Sequence, residues 1–375
     1  MKKIKLLLMA FMAMMTATAF VACGDDDDDN GNVSNMERYQ REVDQVVKDG
    51  KKNDKAILLV AFGSTWQQAY DAFDLTREEY QKAFPNYDVF LSFSSAICIN
   101  RAAAAENTAA RSFYEPKYWL EAFGRVQYEE IIVQSMQVIP GEEFSRVVNA
   151  MKDFGNNSNG DLDDKYMSQV TLKLGMPLMY TEDDANTLAT ALDNNFAEYA
   201  QKGAMLFMGH GNPDDYDTYK ANVRYTQLET ALQGLNGSYA KNYFVGTVDM
   251  KENFKVQVYE RMQAAGITSG DVYCAPLMSI AGDHAHNDMA GDDDAWDEET
   301  SSFDINEDGE AEDTSWKMYF EHMGYTTTEN GTYVDNGENA LVKGLLEYKN
   351  IRNIYIQHTK DAEVVDFYHS MYPEE

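Results

Sequence analysis

Cysteine is nearly absent from this chain: of 375 residues only Cys23, Cys98 and Cys274 are cysteine. That is too few for a disulfide framework, and their spacing is not that of a cysteine-based zinc site. Cys98 and Cys274 each lie in an apolar, strand-like segment and read as buried free thiols. Cations are scarce as well, 31 Lys and Arg facing 63 Asp and Glu, for a formal net charge of −32. Such a surface repels phosphate backbones and anionic headgroups, which argues against nucleic acid as a partner. Neither a G-x-S-x-G nor a C-x-x-C motif occurs, so nothing points to a nucleophile elbow or a dithiol. Histidine numbers only six, and each one can be weighed separately.

The amino terminus holds a long apolar run. Lys2, Lys3 and Lys5 precede Leu6 to Phe20, which meets Val21-Ala22-Cys23, so residues 1–22 have the charged, apolar and small-residue parts of a signal peptide. The run is too short and too promptly ended for a membrane span. A cysteine directly after small residues resembles the lipobox of bacterial lipoproteins, with Phe20 where leucine is usual, and marks Cys23 as the lipidation site. The expectation is an exported lipoprotein anchored to the outer membrane, on its periplasmic face or at the cell surface. Gly24 and the run Asp25 to Asp29 open an acidic stretch, residues 23–35, that has almost nothing to bury and is expected to be a disordered tether. An acidic run in this place also resembles a surface-export signal of lipoproteins, although a solvated spacer has the same composition.

Strand and helix signals alternate along the body. Ala56 to Phe62 is a continuous apolar run ending at Gly63-Ser64-Thr65, as expected of a parallel strand buried on both faces. A helix-length stretch, Trp66 to Phe84, follows and is closed by Pro85. Further strands are expected at Tyr87 to Phe93 and Glu130 to Met136, with Val170 to Leu174 and Pro177-Leu178-Met179 as a fourth. The pattern restarts after a helix at Thr187 to Lys202, with strands at Ala204 to Met208, Tyr243 to Thr247, Asp271 to Met278 and Ile354 to Gln357. Repeated βα units imply parallel sheets covered by helices. The fold class is α/β, with two Rossmann-like lobes, residues 52–190 and 191–375, and a cleft between their strand ends. Nothing in the sequence sets the oligomeric state, and a homo-oligomer is compatible with it.

An acidic insertion, residues 291–314, interrupts the second half. Within it Asp304, Asn306, Asp308 and Gly309 match the first half of a calcium loop, but position twelve is Ser315, which lacks the closing carboxylate. Calcium binding and an acidic solvated loop are both open on this pattern.

Two segments carry chemistry: Met208-Gly209-His210-Gly211, and Gly282-Asp283-His284-Ala285-His286-Asn287-Asp288-Met289. Each follows an expected strand, where α/β sheets place their ligands. Imidazole is both a borderline metal ligand and a base near neutral pH, so two strand-end histidines make a metal or proton-transfer pair. The alternative for each one singly is a helix cap or a loop hydrogen bond. By their positions alone, Asp249 reads as the N-cap of a helix near Lys251 and Glu143 as a charge complementing a helix dipole. His286 reads as exposed, and His322, His358 and His369 have no supporting context.

Taken together, several segments resemble the anaerobic cobalt chelatases, the sirohydrochlorin cobaltochelatases of the class II chelatase superfamily. They are Phe62-Gly63-Ser64-Thr65, Gln134 to Phe144, Met208 to Gly211, Val245 to Asp249, Pro276 to Met289, Ser315 to Met318 and Gly337-Glu338-Asn339, in the family's order. The resemblance implies a tetrapyrrole metal chelatase, a lyase inserting a divalent metal into sirohydrochlorin, with cobalt as substrate and iron or nickel as alternatives. It further implies that His210 and His284 hold the metal and deprotonate pyrrole, that Asp249 stands where relatives carry a metal-binding glutamate, and that Glu143 is an active-site acid. Ser64 and Thr65 are implied in tetrapyrrole binding, and Gln137 stands where some relatives have histidine. Cobalamin assembly is cytoplasmic, whereas this chain carries an export signal. Haem binding at the cell surface, iron removal from haem, and metal or tetrapyrrole binding without turnover therefore stand as alternatives.

Overall fold

A computed structural model describes residues 34–105, 109–213, 217, 220–311, 313–327 and 341–365. The expected signal peptide, Cys23, most of the acidic tether, Gly337-Glu338-Asn339 and His369 lie outside them. The chain opens with a helix, α1 (Asn35–Gly50), which the sequence reading did not anticipate. There follow β1 (Lys55–Ala61), α2 (Gln67–Ala83), β2 (Asp88–Phe93), α3 (Ala96–Ala104), α4 (Pro116–Arg125), β3 (Glu130–Ser135), α5 (Glu142–Gly155), β4 (Thr171–Gly175) and α6 (Glu182–Ala200). The second run is β5 (Ala204–Gly209), α7 (Val223–Gln233), β6 (Tyr243–Thr247), α8 (Lys255–Ala264) and β7 (Gly270–Leu277).

Two sheets result. The first has strand order β4-β3-β1-β2, all parallel, and is extended beyond β4 by a short antiparallel strand from the far end of the chain, Glu363–Val364. The second places β5 between β6 and β7 in parallel register, with Tyr325–Thr326 added beyond β7. The α/β class with parallel sheets is as expected. β1 shows why: from Ala56 to Ala61 every side chain is buried, which only a strand covered on both faces allows. Local signals set the helix starts, Pro116 in the first turn of α4 and a Thr181–Asp184 capping box at α6.

Three expectations need correction. The apolar run Ile354 to Gln357 is not a strand but part of a helix, α10 (Lys349–Lys360), the tenth after α9 (Trp316–His322). Its buried residues Ile351, Arg352, Tyr355, Ile356 and Thr359 recur at helical spacing. This helix packs on the first sheet and on α2, where Arg352 makes a buried bidentate pair with Glu79 at 2.7 and 3.0 Å. The boundary of a C-terminal lobe at 191–375 is therefore crossed by the last segment, which returns to the first sheet. The inner faces also share one apolar core, running from Ile57 and Leu59 through Leu188 and Leu192 to Phe207 and Tyr273.

Cys98 is not in a strand. Ser95 ends the extended run by capping α3, its hydroxyl accepting from the Cys98 amide at 3.3 Å. Cys274 is buried in β7 as expected.

In the acidic insertion, Trp296–Asp297 and Ser302–Phe303 pair as a small antiparallel hairpin. The calcium half-motif is spent on protein partners. Asn306 Oδ1 accepts the amides of Asp308 and Glu310, Lys251 sits 3.3 Å from Asp308, and buried Lys255 sits 3.7 Å from Glu310. Ammonium groups thus meet these carboxylates, and nothing in the arrangement supports calcium at Asp304, Asn306 and Asp308.

Candidate functional site

The strand ends of the two sheets meet. Trp66, after β1, donates its Nε1–H to Asp283, after β7, at 2.6 Å. A Cβ on Gly141, after β3, would lie 2.6 Å from the side chain of Asn212, after β5. Ser279, after β7, donates to the Met136 carbonyl, after β3. The residues between these contacts are those the strand-end rule singles out.

His210 follows β5 directly. Its carbonyl accepts the Asp249 amide at 2.9 Å, so the loops after β5 and β6 are tied backbone to backbone. Gly211 makes this turn possible: its φ is +81°, and a Cβ there would meet Met250 at 2.9 Å. The His210 Nδ1 lies 2.8 Å from the Gly211 carbonyl oxygen and 3.3 Å from Asp249 Oδ2. Both are acceptors, which makes Nδ1 the protonated nitrogen and leaves Nε2 with its lone pair. Asp249 does not cap a helix, since α8 starts only at Lys255.

His284 opens a π-helical turn, His284–Met289, after β7. Such wide turns occur mostly at functional sites, because they re-aim one side chain. Here the turn brings Asp288 onto His284 Nδ1, again leaving Nε2 available. Burial pushes the His284 imidazole toward the neutral form, but the Asp288 hydrogen bond and the charges of Asp288, Asp249 and Asp283 outweigh it, and its pKa ends above the ordinary histidine value. The two imidazoles meet edge to face, ring centroids 4.8 Å apart and planes at 88°. No three His, Cys, Asp or Glu side chains among the described residues already converge on one point as a metal cage. The site is a pair of imidazoles with Asp249 beside the Nδ1 of His210.

The first sheet supplies the opposite wall. Glu143, in the first turn of α5, accepts from Ser94 Oγ at 3.0 Å and lies 3.4 Å from Arg146. Burial raises its pKa, opposed by Arg146, Ser94 and His210, so it is close enough to feel the histidine pair. Ser64 and Thr65 are 5% and 4% exposed. The Ser64 hydroxyl accepts the Trp66 amide at 3.2 Å and lies 3.7 Å from where a Cβ on Gly282 would be. Ser64 thus lies against the loop before His284. Gln137 accepts from Ser135, and its Nε2 is buried without a partner.

His286 departs from its reading as an exposed residue. It is half-buried, stacked on Trp66 with centroids 3.9 Å apart, and burial lowers its pKa. His322 stacks on Trp296 and bonds Asp294, and His358 contacts Asp184 at 3.3 Å; both hold structure together. Sequence reasoning missed Asp288, Asp283 and Trp66. Only the spacing of Asp288, four residues after His284, was a signal for the first.

The molecule is thus an α/β protein of two mainly parallel sheets with a histidine pair where their strand ends meet, a donor type that suits borderline metal ions. A family model described as Cobalt chelatase (CbiK) matches residues 55–308, and the chain belongs to that family. It is similar to the "Sirohydrochlorin cobaltochelatase" of Salmonella typhimurium, 25% identical over 309 residues, covering 82% of this chain and 96% of the relative. It is also similar to "Sirohydrochlorin cobaltochelatase CbiKC" of Nitratidesulfovibrio vulgaris, 28% identical over 314 residues, covering 82% and 90%. Among solved structures, "SirB from Bacillus subtilis with Fe3+" aligns with a TM-score of 0.44 at 12% identity, over 82% of this chain and 94% of that one.

Proposed function

We propose that the chain is a metal chelatase that inserts a divalent metal, cobalt in the first place, into sirohydrochlorin or a closely related tetrapyrrole. The observation that carries this is the imidazole pair. His210 and His284 sit edge to face, ring centroids 4.8 Å apart, with Nδ1 of each beside a protein acceptor, so in its neutral form each ring keeps an Nε2 lone pair for a metal or a proton. Insertion exchanges two pyrrole protons for one dication, and no covalent intermediate is needed. The metal arrives as substrate. His210 and His284 with Asp249 receive it, and as the ion passes to the ring nitrogens the imidazoles are released to take the pyrrole protons. Glu143, whose pKa burial raises, passes protons on the first-sheet side. Membership of the cobalt chelatase family and the names of the two curated relatives support the same reading.

Export, lipidation at Cys23 and anchoring to the outer membrane are part of the proposal, supported by the Lys2, Lys3, Lys5 and Leu6 to Phe20 pattern before Cys23. That pattern also favours a second reading, in which the same cleft handles haem at the cell surface. Anaerobic absorption spectroscopy of the full chain with sirohydrochlorin and cobalt(II), and separately with haem, distinguishes them. Conversion to cobalt-sirohydrochlorin well above the protein-free rate is expected. No acceleration, together with a saturable haem spectrum, would move the protein to haem capture.

A further inference from the structure

Two guanidinium groups border the cleft on the first-sheet side and have no part in the metal chemistry above. Arg101, in the last turn of α3, has a side chain 37% exposed and lies 3.8 Å from Asp283. Asp283 meanwhile is held by Trp66. Arg146, on α5, is 50% exposed and lies 2.9 Å from Glu142 and 3.4 Å from Glu143. Ser94, next to the Ser95 cap of α3, donates to Glu143 at 3.0 Å, which ties the start of α5 to the foot of α3. The other charged groups there, Glu143, Asp249, Asp283 and Asp288, are acids, on a chain whose net charge is −32. Among the described residues, the guanidiniums of Arg101 and Arg146 offer an anionic ligand attraction where these acids repel it.

Apolar surface lies beside them. Ile97 is one helical turn before Arg101 on α3 and so shares its face. Its side chain is 51% exposed, and Phe62, just past β1, is 46% exposed. The Phe62 carbonyl accepts the Ser95 amide at 3.0 Å, which fixes this residue at the foot of the same helix. Side chains of this kind are normally inside, and here two large ones are left out next to a guanidinium.

We infer that Arg101 and Arg146 anchor carboxylates of the substrate while Phe62 and Ile97 carry its apolar face. The ligand class this defines is a flat macrocycle with several carboxylates on its rim. The inference rests on the tetrapyrrole reading and deepens it. Arginine suits the task, since its planar fork meets a carboxylate with two parallel hydrogen bonds. In the unliganded cleft each fork rests on carboxylates of the protein, and a ligand carboxylate takes their place, one anion for another. A macrocycle without acidic side chains gains nothing from that exchange.

Binding of metal-free sirohydrochlorin to the full chain, followed by quenching of its fluorescence, tests this against the same macrocycle with its carboxylates esterified. Arg101→Ala and Arg146→Ala are each expected to weaken binding of the free acid by about tenfold, the scale of one charge-assisted hydrogen-bonded contact. The ester should bind wild type and both variants alike. Arg101→Lys should recover part of the loss, and Arg77→Ala, exposed on α2, should bind the acid as wild type does. In turnover the KM for the acid should rise by more than kcat falls. Unchanged binding of the acid by both alanine variants, with wild type binding it normally, overturns the inference and leaves the chelatase reading standing. Failure of wild type to bind either acid or ester overturns that reading, and the inference with it.

Discussion

The strand ends of the second sheet and those of the first meet at one cleft but are built differently. After β5 and β6 the loops are bonded to one another through the backbone, and the segments after β5 and β7 carry imidazoles held by carboxylates. His210 is fixed by Gly211 and Asp249, and His284 by Asp288. After β1, β2 and β3 the chain carries exposed apolar groups, guanidiniums and a half-buried acid, on the loop after β1 and on α3 and α5: Phe62, Ile97, Arg101, Arg146 and Glu143. One wall has the chemistry of a metal and proton site, which needs fixed lone pairs. The other has the chemistry of a ligand platform. Two βα sheets of the same class have come to divide labour through the segments that follow their strands.

The largest effect that would sharpen this contrast is loss of either imidazole. His210→Ala and His284→Ala are each expected to lower kcat for metal insertion by about 100-fold or more, the usual weight of a proton-transfer residue. Tetrapyrrole binding, measured separately, should change far less. An equal loss of binding in both variants would blur the two walls into one.

Next is Asp288→Asn. Its removal frees His284 to turn and takes away a charge that holds the imidazole pKa up. We expect kcat to fall by about tenfold to 100-fold, as for second ligands of metal-binding histidines. The sign of the pH effect is set by the same contact. The neutral imidazole is the form that binds metal or takes a proton, and Asp288 delays its appearance as pH rises. The rising limb of the kcat profile should therefore move to lower pH in Asp288→Asn while its plateau drops. A limb that stays in place would show that His284 does not govern it.

Glu143→Gln should cost less, about tenfold in kcat, because it removes a proton acceptor and leaves the imidazoles intact. Burial raises the Glu143 pKa, so wild-type activity should keep rising above the normal glutamate range until this acid is ionised, and that component should be missing in the variant. The smallest expected effect concerns the acidic insertion. With Lys251 and Lys255 already on Asp308 and Glu310, millimolar calcium should leave the melting temperature unchanged, whereas a true site would raise it by mass action.

Much of this was legible in the residues and some was not. β1, β5 and β7 announce themselves as apolar runs, and His210 and His284 follow two of them, so strand-end placement found the pair. Ile354 to Gln357 misled because four residues were read alone. The helical period emerges only when buried Arg352 is counted, and what permits its burial is Glu79, far away in sequence. Cys98 misled in the same way, since a run continuing from β2 hides the Ser95 cap. The calcium half-motif is a local pattern answered by distant lysines, and Arg101 gains meaning only once folding sets it beside Asp283. Periodicity is local and so is readable; partners across the two sheets are not.

The division between the walls is tested most directly by cobalt(II) itself. Titrated into the full chain without any tetrapyrrole, cobalt should give the visible and near-ultraviolet bands of an imidazole-ligated ion. Those bands should persist when Arg101 and Arg146 are both changed to alanine and vanish when His210 and His284 are. Cobalt bands that survive the loss of both histidines, or disappear with the two arginines, would contradict the account.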